Sequence, residues 1–262
     1  MPTTMHIDLN CDLGESYGAY AIGDDTALMP LITSANIACG FHAGDPQVIA
    51  RTVRLAVRHG VALGAHPGFP DLVGFGRRAL DAIPDEIEND VLYQIGALAA
   101  FARAEGAALA HVKPHGALYN LAATRLPIAR AIARAVARFD ANLILVGQPG
   151  SAMENAAREE NICFRREGFA DRAYNRDGTL RSRREPGALI DDPRRAAEQA
   201  LQITRTQTVT TPEGETIAMP VDTLCIHSDS PGAAEILCAV STGLQKNGVA
   251  LSPLRQGDKV AR

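Results

Sequence analysis

Short apolar runs alternate with amphipathic stripes about seven times between residues 6 and 248, and this rhythm restricts the fold more than any other feature of the chain. The runs at 6–11, 34–40, 61–65, 109–114, 143–147, 162–168 and 222–227 are short enough for strands. Helix signals fill the gaps. Asp45-Pro46 has the form of an N-cap followed by proline at the first helical position. Val48, Ile49, Val53 and Ala56 then follow helical spacing, Arg51, Arg54 and Arg58 fall on the opposite face, and Gly60 supplies the stop. Ile87, Val91, Ile95, Leu98 and Ala102 form a second stripe, ended by Gly106. Ile128, Ile132, Val136 and Phe139 form a third. Asp192-Pro193 and Ser230-Pro231 repeat the cap-plus-proline start. Strand-then-helix alternation implies parallel strands with helical crossovers. The 262 residues suit one (β/α) barrel of about 250 residues. A doubly wound open sheet fits the alternation equally, because alternation does not show closure.

Two segments break the rhythm. Residues 208–220 carry Pro-Glu-Gly between β-rich flanks and predict a hairpin decorating the barrel. Residues 165–184 hold seven arginines and are followed by Pro186-Gly187, so 165–187 is expected to be a long loop, a lid or a solvated basic surface. No composition break divides the chain, so one domain over 1–262 is expected, with a flexible tail after about 253.

A formal net charge of -4 gives no bulk attraction to nucleic acid or to an anionic membrane, and neither is expected as a partner. No apolar run reaches the roughly 18 residues of a membrane helix, and no leader pattern precedes the first strand; a cytoplasmic location is expected. Five cysteines without a CxxC pair fit reduced thiols. Cys225 and Cys238 are expected to be small apolar filler, whereas Cys11 and Cys39 stand beside polar motif residues and are candidate thiols.

Polar residues gather where each strand should end, and in a parallel barrel those ends converge on one face. Asn10, Asp12 and Glu15 follow the first strand, His42 the second, His66 the third, Lys113, His115 and Tyr119 the fourth, Asp171 and Arg172 the sixth, and His227 and Asp229 the seventh. Burying so many imidazoles and carboxylates is costly without partners, so packing alone seldom places them together. Asp12 is the leading general base, and His42 and His66 suit proton transfer. Lys113, one of three lysines in the chain, suits an oxyanion or phosphate, with His115 beside it. Arg172 is the candidate clamp for a substrate carboxylate and Asp171 its orienting partner. Asn10, Glu15, Tyr119 and Asp229 complete the candidate substrate set. If a divalent cation is present, Asp12, His42 and His66 are its first candidate ligands.

Asn10-Cys11-Asp12-Leu13-Gly14-Glu15, the run from Ser34 to Asp45, Gly64-Ala65-His66-Pro67-Gly68, the run from His111 to Asn120 and Phe169-Ala170-Asp171-Arg172-Ala173-Tyr174 resemble the signatures of the LamB/YcsF family. The resemblance spans roughly residues 5–250; the family more often has Gly and Asn where Ser228 and Ser230 stand. It implies a barrel of about seven parallel strands related to the glycoside hydrolase and polysaccharide deacetylase barrels. It also implies the A subunit of a three-part 5-oxoprolinase, which opens 5-oxo-L-proline to L-glutamate with ATP as co-substrate and subunits B and C as partners. The chain has neither a GxxxxGK[ST] loop nor a strand-linked GxGxxG, so ATP must bind a non-standard site or be handled by the partners. Two other readings stay open: a metal-dependent deacetylase or amidohydrolase in which Asp12 and two of His42, His66 and His115 hold a cation, and a scaffold subunit without chemistry of its own.

Overall fold

Seven parallel strands close into a barrel in the computed structural model, which describes residues 5–230 and 232–255. In chain order the elements are β1 (Met5–Leu13), α1 (Asp25–Leu28), β2 (Ser34–Ala38), α2 (Pro46–His59), β3 (Ala62–His66), α3 (Pro84–Ala104) and β4 (Leu109–Val112). They continue with α4 (Gly116–Thr124), α5 (Leu126–Asp140), β5 (Ile144–Gly147), α6 (Ala152–Glu159), β6 (Cys163–Phe169) and α7 (Pro193–Thr206). The last are β7 (Thr208–Thr210), β8 (Thr216–Ala218), β9 (Thr223–Ile226), α8 (Ala233–Lys246) and β10 (Val249–Leu251). The barrel runs β1-β2-β3-β4-β5-β6-β9, and β9 pairs back onto β1 through Asp8↔Thr223 to Cys11↔Ile226, which rules out the open sheet.

β10 has no clear signal in the sequence. It lies parallel to the first residues of β1, Met5↔Val249 to Ile7↔Leu251, just below the stretch that β9 takes. β7 and β8 form the antiparallel hairpin expected at 208–220. The sequence places the last helix start at Ser230-Pro231; α8 instead begins at Ala233 behind Gly232, whose φ of 76° suits glycine, and Pro231 lies outside the described residues. The expected tail after 253 falls largely outside them as well.

Asp45 caps α2 as its sequence suggests, accepting from the backbone N–H groups of Gln47 and Val48, and Gly60 ends the helix at φ 67°. Val48, Ile49, Val53 and Ala56 are buried against the barrel. The α3 stripe is buried throughout. In α5 the buried residues are Ala129, Ala131, Ile132, Ala133, Ala135 and Val136, whereas Phe139, expected on the buried stripe, is exposed. Arg134 and Arg138 of α5 pair with Glu88 of α3 on the outside of that contact.

Strands buried on both faces usually form continuous apolar runs. β1 alternates instead, because the interior it faces is polar. On β1, Leu9, Cys11 and Leu13 join the apolar layer under the helices, while Asp8, Asn10 and Asp12 bond across the interior. The bottom layer centres on Asp8, which accepts from Thr33, Ser34 and Thr223. Burial raises its carboxyl pKa despite those bonds. The middle layer is Asn10, Asn36 and His111: Asn36 Nδ2 donates to Asn10 Oδ1 at 2.7 Å, and His111 Nε2 donates to Asn36 Oδ1 at 2.7 Å. Burial, then the nearby Lys113, pushes the His111 pKa down to about 3, so its ring is neutral. Gly64 makes room for this layer, since a Cβ there would lie 2.0 Å from His111 Nε2. Gly64→Ala is therefore expected to cost about 1–3 kcal/mol by overpacking. A urea melt of the variant against the parent checks this; an unchanged midpoint would mean the layer is loosely packed.

Candidate active site at the barrel mouth

The third polar layer opens the site. Lys113, one residue past β4, continues the ladder through its N–H to Ala65 O. Its ammonium lies 2.8 Å from Asp12 Oδ1 and 2.9 Å from Glu167 Oε1, with Cys225 Sγ at 3.1 Å. Burial opposes the charge on Lys113, but Asp12, then Cys225 and Glu167, outweigh it and raise its pKa well above the usual lysine range. Burial opposes ionisation of Asp12 too, but His66 and Lys113 hold the carboxyl well below its ordinary value. Both groups are thus charged at neutral pH. Asn36 Nδ2 donates to Asp12 Oδ1 at 2.8 Å, which leaves Oδ2 facing His66 Nε2 at 3.4 Å. Tyr119, on α4, donates to Glu167 Oε2 at 2.8 Å.

Above this layer three imidazoles meet one carboxylate. His66 Nδ1 lies 2.7 Å from Lys113 O, and His115 Nε2 lies 2.8 Å from Phe75 O. Their other nitrogens are 2.9 Å apart. His42 stacks on His115 with centroids 3.8 Å apart and planes 3° from parallel. Glu15 Oε1 lies 3.4 Å from His115 Nδ1 and 3.7 Å from His42 Nε2. Burial, then Asp12 and Asp229, pushes the Glu15 carboxyl well up. Burial, then His66, pushes the His42 ring well down, and burial followed by His42 and His66 does the same to His115. Donor atoms of Glu15, His42, His66 and His115 all lie within 4.8 Å of one another, a set that could hold a metal ion. Asp12, first among the ligands expected from sequence, is outside this set because Lys113 and Asn36 engage it; Glu15, expected to touch substrate, stands in its place.

The rim carries the remaining residues. Asp171 Oδ2 accepts from His227 N at 3.1 Å and contacts His227 Nδ1 at 2.8 Å, and His227 stacks on Phe169. Burial opposes ionisation of Asp171, yet His227 outweighs it and lowers the pKa. Arg172 is not hydrogen-bonded to Asp171 in the described structure. Its Nη2 donates to Arg181 O at 2.7 Å, and its buried Nε has no hydrogen-bond partner among the described residues. Burial, then Arg183, lowers its pKa, which leaves it a poorly compensated cation suited to an incoming anion. Asp229 is held by Arg77 and Arg183, so it ties the loop after β3 to the loop after β6 across the mouth.

Asn10, Asp12, His66, Lys113 and His115 thus share one connected network with Glu15 and His42, while Asp171, Arg172 and Asp229 stand on its rim. Glu167 and Arg77 join the contacts of the mouth although they are not among the candidate residues drawn from the sequence. The alternation of β6, in which Glu167 shares a face with Arg165 and Phe169, is the available signal for the first. No spacing marks Arg77. His227 is marked by its strand end but by nothing that assigns it a role; its Asp171 partner is 56 residues away in sequence. Residues 165–169 of the expected basic loop are instead the end of β6, and the arginines of the segment are largely paired: Arg166 with Asp222, Arg176 with Glu215, and Arg181 with Glu185 and Glu213. Cys11 faces the helical layer, and burial pushes its thiol well up. Burial pushes Cys39 up to about 12, so neither fits a nucleophile. Cys225 is fully buried in the core, as expected of small filler, with its Sγ against Lys113, whereas Cys238 is exposed and does not match.

Comparison with known proteins places this site in context. The chain is 59% identical over 245 residues to a protein of Symbiobacterium thermophilum named as the A subunit of 5-oxoprolinase, covering 94% of each chain. It is 57% identical over 248 residues to a protein of the same name from Methylococcus capsulatus, covering 95% of each. The crystal structure of a lactam utilization protein from Thermus thermophilus superposes with a TM-score of 0.92 at 52% identity, over 95% of this chain and all of that one. A T48 deacetylase, at 13% identity and a TM-score of 0.50, shares the fold alone. A model of the LamB/YcsF family matches residues 7–259. The chain belongs to the LamB/YcsF family.

Proposed function

We propose that this chain is the A subunit of a cytosolic 5-oxoprolinase and that it carries out the hydrolytic opening of 5-oxo-L-proline to L-glutamate, driven by ATP. The observation that supports this most is the identity of more than half of the residues, over nearly the whole chain, with relatives named for that activity. The mouth chemistry is compatible. A lactam carbonyl is a poor electrophile, and phosphorylating its oxygen creates a leaving group. A water must then be oriented, deprotonated and added to the carbonyl carbon. The C–N bond breaks next, the ring nitrogen leaving as the amine with a proton, and a second water hydrolyses the remaining acyl phosphate to the carboxylate and inorganic phosphate. Asp12 Oδ2, ionised and free of Lys113, is the proposed acceptor of the water proton. Lys113 supplies a fixed positive charge for the developing oxyanion or the phosphoryl group. Arg172, through its unpartnered Nε, holds the substrate carboxylate. The Asp171–His227 pair, fixed by a 2.8 Å contact, returns a proton to the leaving ring nitrogen.

The sequence holds no familiar phosphate-cradling loop, so we assign phosphorylation to partner subunits B and C. The isolated chain should show little ATP-coupled turnover, and addition of both partners should restore glutamate formation. Strong turnover by the chain alone would refute this division of labour. Failure with all three chains would refute the substrate. A deacetylase or amidohydrolase acting on another amide is the second reading, favoured by the Glu15–histidine cluster.

A further inference from the structure

We infer that Glu15, His42, His66 and His115 form a binding site for one divalent transition-metal ion. The site's capacity to hold an ion does not depend on which amide the mouth hydrolyses.

The hydrogen-bond partners of the rings fix their tautomers. The acceptors at His66 Nδ1 and His115 Nε2 are backbone carbonyls, Lys113 O at 2.7 Å and Phe75 O at 2.8 Å, and a carbonyl can only accept. Each ring must therefore carry its proton on that nitrogen. His66 Nε2 and His115 Nδ1 then face each other across 2.9 Å. A single cation can lie against both nitrogens. Glu15 Oε1 adds a carboxyl oxygen 3.4 Å from His115 Nδ1, and it has no hydrogen bond among the described residues. Neither nitrogen of His42 has one either, although the ring is fully buried. Buried polar atoms left without partners are costly, and two of these, Glu15 Oε1 and His42 Nε2, face each other 3.7 Å apart.

The rest of the cluster matches a metal centre as well. Metal-binding histidines ordinarily donate their second N–H to a carbonyl or carboxylate, which fixes tautomer and ring orientation. His66 and His115 already do so. With metal–nitrogen bonds of about 2.0–2.1 Å, neighbouring ligand atoms in a tetrahedron lie roughly 3.3 Å apart. The 2.9, 3.4 and 3.7 Å separations bracket that value. Glycines wall the rings in place: a Cβ at Gly68 would lie 2.7 Å from His42 Nδ1, and one at Gly76 would lie 2.8 Å from His42 Cβ and 2.9 Å from His115 Cδ2. Three imidazoles and one carboxylate select zinc, iron or a neighbouring first-row ion over magnesium or calcium, which prefer oxygen.

The test is direct metal binding by the full chain. Protein stripped with a chelator is titrated calorimetrically with zinc and, separately, with magnesium, and metal content is read by elemental analysis. One equivalent of zinc per chain, a rise in melting temperature on loading, and no competition from a large magnesium excess are expected. His66→Ala should weaken zinc binding by more than about 100-fold, beyond the 10–100-fold typical of changes around the ligands. Should that variant fail to fold, Glu15→Gln, nearly isosteric, carries the test and should also weaken binding. Substoichiometric zinc, binding unchanged in Glu15→Gln, or magnesium bound more tightly than zinc would each overturn the inference.

Discussion

Lys113→Met should lower the stability of the chain by about 3–5 kcal/mol, the cost of breaking a buried ion pair from one side, and it should abolish turnover. The ammonium stands between Asp12 Oδ1 at 2.8 Å and Glu167 Oε1 at 2.9 Å, and its side chain is almost fully buried. Methionine fills similar space but leaves two carboxylates facing each other in a medium that solvates neither. Glu167 Oε1 has no hydrogen-bond partner among the described residues, so this ion pair is its compensation. Urea unfolding of parent and variant measures the loss. Adding Glu167→Gln to Lys113→Met should recover part of it, because one unpaired charge is removed and the two sites are in contact. Equal midpoints for Lys113→Met and the parent would show that the carboxylates do not depend on this lysine.

The strand-and-helix rhythm was legible because several crossover helices announce themselves. Asp45 before Pro46, Asp192 before Pro193 and the glycine stop at Gly60 each act within a few residues, and local chemistry can be read locally. Closure could not be read that way. It depends on β9 pairing with β1 across more than 200 residues, and parallel pairing leaves no turn signal between the partners. β10 is illegible for a related reason: three residues carry too little periodicity, and their place is set by the lower end of β1.

The candidate site was legible as a set of positions and illegible as a set of partnerships. Asp12, His42, His66, Lys113 and His115 stand out because polar residues recur at strand ends. Who pairs with whom depends on barrel stagger. Asp12 looks free to bind a metal in the sequence, yet the register that sets Asp12 beside Asn36 also brings it under Lys113, while Glu15 is carried up to the histidines. Glu167 lies inside a strand, where only the alternation of β6 hints at the face it takes. Arg77 belongs to a loop whose course follows from its packing on Phe75 and its tie to Asp229.

Asp12→Asn tests most directly the claim that ring opening takes place at this barrel mouth. The substitution is nearly isosteric. Asn can still accept at Oδ1 from Asn36 and Lys113, so the layer beneath the mouth keeps its bonds. What changes is the atom facing His66 at 3.4 Å: a carboxylate oxygen able to take a proton becomes an amide nitrogen that cannot. Loss of a general base typically costs about 10²–10⁴ in rate. The measurement is glutamate formed from 5-oxo-L-proline and ATP by the complex of subunits B and C with either the parent chain or Asp12→Asn, at equal complex assembly. A fall of about 10²–10⁴ in an assembled complex is the expected result. Glutamate formation near the parent rate would place the chemistry elsewhere and contradict the account.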